Sequence, residues 1–458
     1  MTFQALKEAK MNMFRLSAYG AAAAAVLLAQ ATARAVPAVT DVTFAQREGS
    51  RTVDITYTLA GGPAIITLGI ETNGVALPDS AVTRLEGDVS VLVPSGTGKR
   101  IVWRAGHDWP QRNVPDARAR VIAWATNAPP PYMVVDLNSG PAGTSYPLRW
   151  YPSAEALPHG GVTNDLYKTC LMAFRYIPRG TFWMGAVAYE PGYNGTREDL
   201  HQVTLTNDFY LGVYEVTQAQ WYLVAGNRPA AWSYPFDWET RPVEQVAYQQ
   251  IRECSVSNNT DNAGIDWPAT GETVDPLSFA GRLRARTGLS GFDLPTDAQW
   301  EYACRAGTVR GLNINGGVNL TNSNSDANMD LAGRYRYNGG FIPYGDGQYT
   351  NTIDGFPVAQ RPLTSASYAT AKVGSYLPNA WGLYDMHGNV YEVVLDRLID
   401  HLGTEPVTEP VGGSSGNRVL RSYSFYSLAG ECRSSTRNTV AQSGSGTHIG
   451  FRMKCLWR

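Results

Sequence analysis

The stretch Asn379–Glu392 reads NAWGLYDMHGNVYE and decides the fold of this chain. Asp385 and Glu392 stand at the two ends of DMHGNVYE, and Gly388 between them permits a tight bend. Hard cations such as Ca²⁺ take carboxylate and carbonyl oxygens from a turn that points several of them inward. The stretch therefore predicts a calcium-binding turn, and the alternative is an acidic turn in which Asp385 caps a helix. His387 is expected to be a packed or exposed side chain, not a ligand.

Helices and strands upstream of this turn are few and well marked. Three helices are predicted, at TQAQWYLVAG (Thr217–Gly226), DPLSFAGRLRARTG (Asp275–Gly288) and TDAQWEYACRAG (Thr296–Gly307). The first and third begin with a Thr-x-x-Gln capping box, the second has Asp275 as N-cap, and each ends on glycine. Strands are predicted within Arg175–Gly185 and His201–Thr217. Few regular periods follow Gly307, so the pattern indicates an α+β domain and excludes a βαβ repeat.

The first third of the chain has a different pattern. Short alternating runs, among them VDITYTL (Val53–Leu59) and ARVIAWAT (Ala119–Thr126), recur about every 8–12 residues between turn signals. This spacing predicts a small antiparallel β-sandwich, of the immunoglobulin or fibronectin kind, over residues 36–128. A run of three prolines ends it, and the stretch Asn138–Thr163 is rich in Gly, Pro and Ser. The segment 129–165 is therefore expected to be a linker or an ordered extension. The second domain is then 166–458.

The N-terminus resembles a secretory signal. Lys7, Lys10 and Arg15 precede the apolar run Leu16–Ala31, and Ala33–Ala35 has the small-residue pattern of a cleavage site. Residues 1–35 are therefore predicted to be a signal peptide, and the protein to be exported to the periplasm, the cell surface or the medium. No later run approaches the roughly 20 apolar residues that span a bilayer. The net charge of −2, with both signs mixed, gives no indication of nucleic acid as a partner.

The cysteines all follow that cleavage site, in a compartment where disulfides persist. They are Cys170, Cys254, Cys304, Cys432 and Cys455. None forms a CxxC pair and the six histidines are scattered, so a zinc site or a three-histidine iron site has no support. The pairing of Cys170, Cys254 and Cys455 stays open, with Cys170 and Cys455 as one candidate pair and Cys254 then as the odd thiol.

Several segments, in this order, resemble the formylglycine-generating enzyme family, the sulfatase-modifying factors. They are FWMG (Phe182–Gly185), YEVTQAQW (Tyr214–Trp221), RPVEQVAY (Arg241–Tyr248), DLPTDAQWEYACRAGT (Asp293–Thr308), KVGSYLPNAWGLYDMHGNVYE (Lys372–Glu392), and the tail of RVLR (Arg418–Arg421), CRSSTRN (Cys432–Asn438) and GFR (Gly450–Arg452). Together they cover about Leu166 to Met453. The resemblance implies an elaborated C-type-lectin-like fold with two helices, small twisted sheets and extensive ordered loop.

The resemblance also implies two calcium sites. In the first, Asp385 and Glu392 would bind by side chain, and Gly388 and Val390 by backbone carbonyl. The second would use the segments DANMD and Asp-Gly-Phe, with Asp346 as a competitor because the spacing differs from that of the family. Its implied ligands are Asn328, Met329, Asp354 and Phe356.

The family's copper chemistry is where this chain departs from the pattern. Family enzymes hold copper between two cysteines, the first three residues after the serine of a Gly-Gly-Ser step. Here that serine is Ser424 and the first position is Ser427, whose hydroxyl cannot replace a thiolate as a copper(I) ligand. Cys432 has the spacing of the second cysteine. It also opens CRSSTRN, and the resemblance implies for a cysteine there a disulfide to Cys304, which is the pairing we expect.

The sequence thus predicts an exported, calcium-stabilised, lectin-like module that binds a protein, peptide or glycan at the cell envelope. Its expected ligand surface is the C-terminal loop Ser422–His448, with Tyr423, Tyr426, Arg433, Arg437 and His448 as contacts. Two alternatives stay open. One is an oxygen-dependent oxidase that converts a substrate cysteine to formylglycine through Cys432, Ser424, Ser427 and copper, and the other is a retroelement-diversified binding protein.

Overall fold

A computed structural model describes residues 36–110, 114–232, 237–253, 265, 267–338 and 369–457, and four short strands between 342 and 357. The predicted signal peptide, Cys254, Asp346 and Asp354 lie outside these residues, as does the side chain of Phe356. Among the described helices, none has the length and apolar character needed to cross a membrane.

Two antiparallel sheets form the N-terminal part. Their strands are β1 (Ala38–Gln46), β2 (Val53–Ala60), β3 (Ala64–Thr72), β4 (Val75–Ala76), β5 (Leu85–Gly87), β6 (Leu92–Val93), β7 (Gly96–Trp103) and β8 (Arg118–Ala125), with one short helix, α1 (Ala105–Asp108). One sheet has the order β1-β2-β7-β5, and in the other β3 pairs with β4, β6 and β8. Alternate residues of β2 are buried, as the period of two in a half-buried strand requires.

The remaining elements form a second, mixed part. Its strands are β9 (Tyr132–Asp136), β10 (Leu148–Tyr151), β11 (Leu171–Ile177), β12 (Gly180–Met184), β13 (His201–Leu205), β14 (Phe209–Gly212), β15 (Phe292–Asp293), β16 (Ile342–Pro343), β17 (Tyr349–Thr350), β18 (Thr352–Ile353), β19 (Phe356–Pro357), β20 (Tyr391–Arg397), β21 (Val407–Thr408), β22 (Arg418–Arg421), β23 (Asn438–Val440), β24 (Ile449–Gly450) and β25 (Lys454–Cys455). Its helices are α2 (Leu166–Thr169), α3 (Gln218–Ala225), α4 (Phe279–Thr287), α5 (Asp297–Arg305) and α6 (Ala327–Ala332), with a π-helical turn at Gln249–Glu253.

The segment 129–165 differs from a linker and is an ordered extension. It supplies β9 and β10 to a six-stranded sheet of order β10-β9-β11-β14-β25-β15. Met133, Val134 and Val135 of β9 are buried, and the Tyr210 hydroxyl donates to the Pro130 carbonyl at 2.6 Å. Burial of this apolar run outweighs the flexible composition on either side of it.

The two predicted capping boxes are confirmed. The Thr217 hydroxyl accepts from the Gln220 backbone amide at 3.2 Å, and the Gln220 side-chain oxygen accepts from the Thr217 backbone amide at 3.2 Å. Gly226 ends α3 in a left-handed conformation. Thr296 caps α5 in the same way. The glycine end predicted for α5 is wrong by one residue, because Ala306 takes the left-handed position at φ 46°.

The predicted N-cap of α4 is also wrong. Ser278 caps this helix, with its hydroxyl accepting from the Gly281 amide at 3.1 Å. Asp275 instead accepts from the Leu277 amide at 2.7 Å, which is a local turn that delays the helix by three residues. Downstream, α4 contributes Phe279 to an aromatic core, where it stacks on Trp221 of α3 with ring centroids 5.1 Å apart.

Two smaller sheets and α5 complete the part of the fold that carries the family-like motifs. One sheet has the order β23-β22-β20-β24 and the other β12-β13-β21. Every residue of α5 is buried. The stretch Asn379–Glu392 leads into β20, so the motif identified in the sequence lies against α5 and the strands of the C-terminal tail.

Candidate functional site

The turn before β20 is anchored to the end of α5. The Asn379 side chain donates to the carbonyls of Ala303 and Cys304 at 2.8 and 3.0 Å, and its oxygen accepts from the amides of Trp381 and Leu383. This one amide side chain therefore closes the turn and attaches it to the helix. Irregular backbone of this length is ordered because its polar groups are satisfied in this way.

Asp385 lies in this turn with a left-handed φ of 55°, so the alternative in which it caps a helix is wrong. One carboxylate oxygen accepts from the Gly374 amide at 2.6 Å, and the other is buried without a hydrogen-bond partner among the described residues. Burial raises the pKa of Asp385 to about 6, against the Gly374 hydrogen bond, which lowers it. An unpartnered, buried carboxylate oxygen is a group that a cation would satisfy.

Glu392 is occupied in a different way. Both of its oxygens accept from the Arg452 guanidinium, at 2.6 and 2.7 Å, and one also accepts from the Trp300 indole at 2.7 Å. All three side chains are completely buried. Glu392 therefore has no free oxygen for a metal in this arrangement.

Glu215 is a third buried carboxylate here, and sequence reasoning missed it. It accepts from the Asn389 side chain at 2.6 Å and from the Val390 amide at 3.2 Å. Burial raises the pKa of Glu215 well above its usual value, and the charges of Asp385 and Glu392 raise it further. A glutamate within the apolar run VYEVT was the available signal, because a charged residue there has to be buried.

Of the two backbone ligands predicted for this calcium site, Gly388 and Val390, the Gly388 carbonyl is engaged. The Ser422 hydroxyl donates to the Gly388 carbonyl at 2.9 Å and lies 3.3 Å from that of Asp385. Ser422 and Tyr423 have left-handed φ angles of 66° and 61°, where the resemblance places two glycines. No cluster of three or more metal-binding side chains occurs in the described part of the chain. Asp385 alone fits a cation, and calcium at this turn stays a prediction.

The second predicted calcium site is not assembled within the described residues. The Asn328 side chain donates to the Asn319 carbonyl at 2.9 Å, and the Met329 carbonyl accepts from the Gly333 amide at the end of α6. Asp354 and the side chain of Phe356 lie outside the described residues. This site also stays a prediction.

The three residues predicted for copper chemistry are buried and hydrogen-bonded to one another or their neighbours. The Ser427 hydroxyl accepts from the Ser424 amide at 3.3 Å, so these serines form a local turn. Burial raises the pKa of the Cys432 thiol well above its usual value, and the charge of Glu431 adds to the rise. A buried, protonated thiol is inert. One hydroxyl and one such thiol do not fit copper(I), which prefers thiolates.

The predicted disulfide between Cys304 and Cys432 is absent, since both are free cysteines. The Cys304 thiol donates to the Asn313 side chain at 3.2 Å. His387 connects the two segments instead: its Nε2 lies 3.9 Å from the Cys304 sulfur, and its Nδ1 donates to the Cys432 carbonyl at 2.8 Å. Of the packed and the exposed position expected for His387, the structure shows the packed one. The candidate Cys170–Cys455 pair is also absent, because both are free.

The C-terminal loop exposes less of itself than its composition suggested. Arg433 is fully buried and binds Glu198 at 2.8 and 3.0 Å, and Arg437 is buried against Asp297 at 2.9 Å. These arginines therefore cannot contact a ligand at the surface, and that part of the prediction is wrong. Tyr423 and His448 both pack on Tyr391. Tyr426 is 54% exposed.

A separate cleft lies beside β12, and we call it the Trp183 cleft. It has a volume of about 430 Å³, within the range of ligand pockets. Its lining includes Trp183, Tyr189, Glu190, Leu200, Val309 and Arg310. Sequence reasoning gave no role to these residues.

The fold and these features define a class of protein, the α+β, C-type-lectin-like domains that carry a formylglycine-generating-enzyme scaffold. Residues 167–455 match the family model described as the sulfatase-modifying factor enzyme 1-like domain. The chain therefore belongs to the sulfatase-modifying factor family, and the resemblance inferred from the motifs is confirmed.

Curated relatives carry two kinds of name. A protein of Paenibacillus barcinonensis named chaperone protein LppX is 34% identical over 198 residues, which are 42% of this chain and 62% of that protein. The formylglycine-generating enzyme of Mus musculus is 30% identical over 168 residues, 36% of this chain and 39% of the enzyme. The chain thus covers less than two thirds of the length of these relatives.

Solved structures give similar but weaker matches. Treponema denticola variable protein 1 is 24% identical with a TM-score of 0.43, covering 62% of this chain and 95% of that one. PvdO from Pseudomonas aeruginosa is 23% identical with a TM-score of 0.43, covering 62% and 94%.

Proposed function

We propose that this chain is a non-catalytic, ligand-binding member of its family, exported to the cell envelope, where it binds a protein or peptide. One observation carries the proposal. The position of the first copper-binding cysteine is Ser427, and the thiol at the second position, Cys432, is fully buried and protonated. Oxygen activation in the family needs a pair of reactive thiols. The two corresponding positions of this chain hold a hydroxyl and a buried thiol, so they do not form such a pair.

Two further observations support binding in place of catalysis. The relative from Paenibacillus barcinonensis is named a chaperone, and a chaperone acts by binding another protein. The N-terminal sequence has the pattern of a secretory signal, which is the basis for proposing export. Calcium at Asp385 is part of the same proposal, as a stabilising ion.

Oxygen consumption tests this proposal. The full chain, reconstituted with copper(I), is mixed with a cysteine-containing peptide, and oxygen is followed with an electrode. We expect no consumption above that of the peptide and copper alone, for the wild type and for Cys432→Ser. Cys304→Ser is the matched control, because Cys304 is another buried free cysteine that lies outside the copper positions. Consumption that is lost in Cys432→Ser and kept in Cys304→Ser would establish an oxidase and overturn the proposal.

A further inference from the structure

The Trp183 cleft gathers large apolar side chains that the fold leaves exposed. Trp183 is 51% exposed, Tyr189 87% and Val309 71%, and Leu200 also faces solvent. Contiguous apolar surface of this kind marks interaction sites in soluble proteins. Trp and Tyr in particular supply much of the energy at protein-binding surfaces.

Buried charged side chains hydrogen-bond to the backbone and side chains that line this cleft. The Arg305 guanidinium donates to the Gly185 carbonyl at 2.5 Å, and the Gly185 amide donates to Glu301 at 2.8 Å. On the other side, Arg433 donates to the Gly192 carbonyl at 2.6 Å and to Glu190 at 3.1 Å. A cleft fixed in this way loses little conformational freedom when a ligand enters it.

The charges at the cleft do not balance at its surface. Glu190 shares Arg433 with Glu198, at 3.1 and 2.8 Å, and Arg305 is paired with Glu301 at 2.7 Å. Arg310 is exposed, and within the described residues its guanidinium makes no ion pair or hydrogen bond. Its backbone is fixed, because its carbonyl accepts from the Asn313 side chain at 2.9 Å. The cleft therefore presents one exposed guanidinium, without a partner among the described residues, beside an apolar surface.

We propose that the Trp183 cleft binds a peptide segment in which a large apolar side chain lies next to an acidic residue. The apolar side chain would pack against Trp183, Leu200 and Val309, and the carboxylate would pair with Arg310 in the two-point geometry that guanidinium favours. This inference rests on the proposed function as a protein- or peptide-binding module.

An array of immobilised hexapeptides tests the pairing. Each peptide carries a central Trp, Phe, Leu or Ala followed by Asp, Asn or Lys, and the full chain is applied with a fluorescent label. We expect the apolar–Asp peptides to bind at least tenfold more tightly than the Ala–Asp and apolar–Asn peptides. Trp183→Ala should weaken that binding at least tenfold, and Arg310→Glu should weaken it as much and shift preference toward the Lys peptides.

Matched controls separate the cleft from other surfaces. Leu277→Ala removes an apolar side chain of similar exposure, 57%, and Arg120→Glu reverses an exposed charge on β8, and neither should change binding. Binding that survives Trp183→Ala and Arg310→Glu but is lost in Tyr426→Ala would place the ligand on the C-terminal loop and overturn the inference. Absence of binding to every peptide, or binding only to a soluble oligosaccharide, would also overturn it. In each of these outcomes a silent oxygen electrode would leave the non-catalytic part of the proposed function standing, and only its binding part would be affected.

Discussion

The C-terminal loop and the Trp183 cleft show how differently composition and exposure distribute over one domain. The loop has the serine, tyrosine and arginine content of a binding surface, yet its two arginines are buried in ion pairs with Glu198 and Asp297. The cleft comes from segments that read as a plain strand and turn, yet Trp183 and Tyr189 are exposed there. Side-chain type alone therefore does not locate the surface that binds.

One residue joins the two regions. Arg433 lies in the loop, but its guanidinium contacts Glu190 and the Gly192 carbonyl, which belong to the cleft wall. The loop thus supports the cleft from inside the molecule. The predictions below test this division of roles, beginning with the largest expected effect.

Replacing Arg433 with Met should destabilise the protein by about 3–5 kcal/mol, since it leaves Glu198 buried and without its partner. It should also weaken peptide binding at the cleft, because Glu190 and Gly192 lose their support. Urea unfolding and the hexapeptide array measure the two effects. Arg310→Met is the control for stability: the side chain is exposed, so the free energy of unfolding should change by less than about 0.5 kcal/mol. Equal stability for the two variants would contradict the role given to Arg433.

Calcium should stabilise the protein by about 2.7 kcal/mol when its concentration is a hundred times the dissociation constant, if the turn binds it as predicted. Asp385→Asn should abolish the effect because it removes the oxygen that has no partner. Ser422→Gly should strengthen it, since the Gly388 carbonyl is then free. Thermal unfolding in calcium and in chelator provides the measurement. An identical unfolding temperature in both would show that Glu392 binds Arg452 and Trp300 but no ion, and that this turn is held without calcium.

The buried side chain of Glu244 should make the stability of the protein depend on pH. One of its oxygens accepts from the Trp232 amide at 2.8 Å, and the other is buried without a partner among the described residues. Burial raises the pKa of Glu244 to about 7, above its ordinary value of 4.5. Between these values the folded state holds the extra proton, so the contribution of Glu244 to stability is fully present below pH 4.5 and is lost as the pH rises through about 7.

Glu244→Gln should therefore remove about 1–3 kcal/mol of pH-dependent destabilisation and leave the protein more stable at pH 8. Urea unfolding at pH 4.5 and pH 8 compares the variant with the wild type. Glu239→Gln is the control, because Glu239 is an exposed glutamate in the same part of the chain. The same difference between the two pH values in wild type and Glu244→Gln would contradict the assignment.

Features of this fold that depend on hydrogen bonds between residues close in sequence were predictable. Features that depend on contacts between residues far apart in sequence were not. Thr217 and Gln220 satisfy each other within one turn of helix, so the sequence alone predicts the cap of α3. Arg433 finds Glu198 more than 200 residues away, and no spacing shows that pair in advance. For the segment 129–165 the sequence left a linker and an ordered extension open, because the proline-rich ends hide the buried run of β9 that decides for the extension. Glu215 was detectable, and only its position in the apolar run VYEVT indicated it.

The cysteines provide the smallest expected effect and the sharpest correction. Cys304 and Cys432 are buried and free, so a thiol reagent should label neither in the native protein and both after unfolding without reductant. Cys170 is half-buried and should label first. Reductant should change the free energy of unfolding by less than about 0.5 kcal/mol, whereas loss of a native disulfide costs about 2–4 kcal/mol. Labelling of Cys304 and Cys432 only after reduction would show that these two cysteines form a disulfide. A disulfide would then join α5 to the C-terminal loop, in place of the contacts that His387 makes with both cysteines.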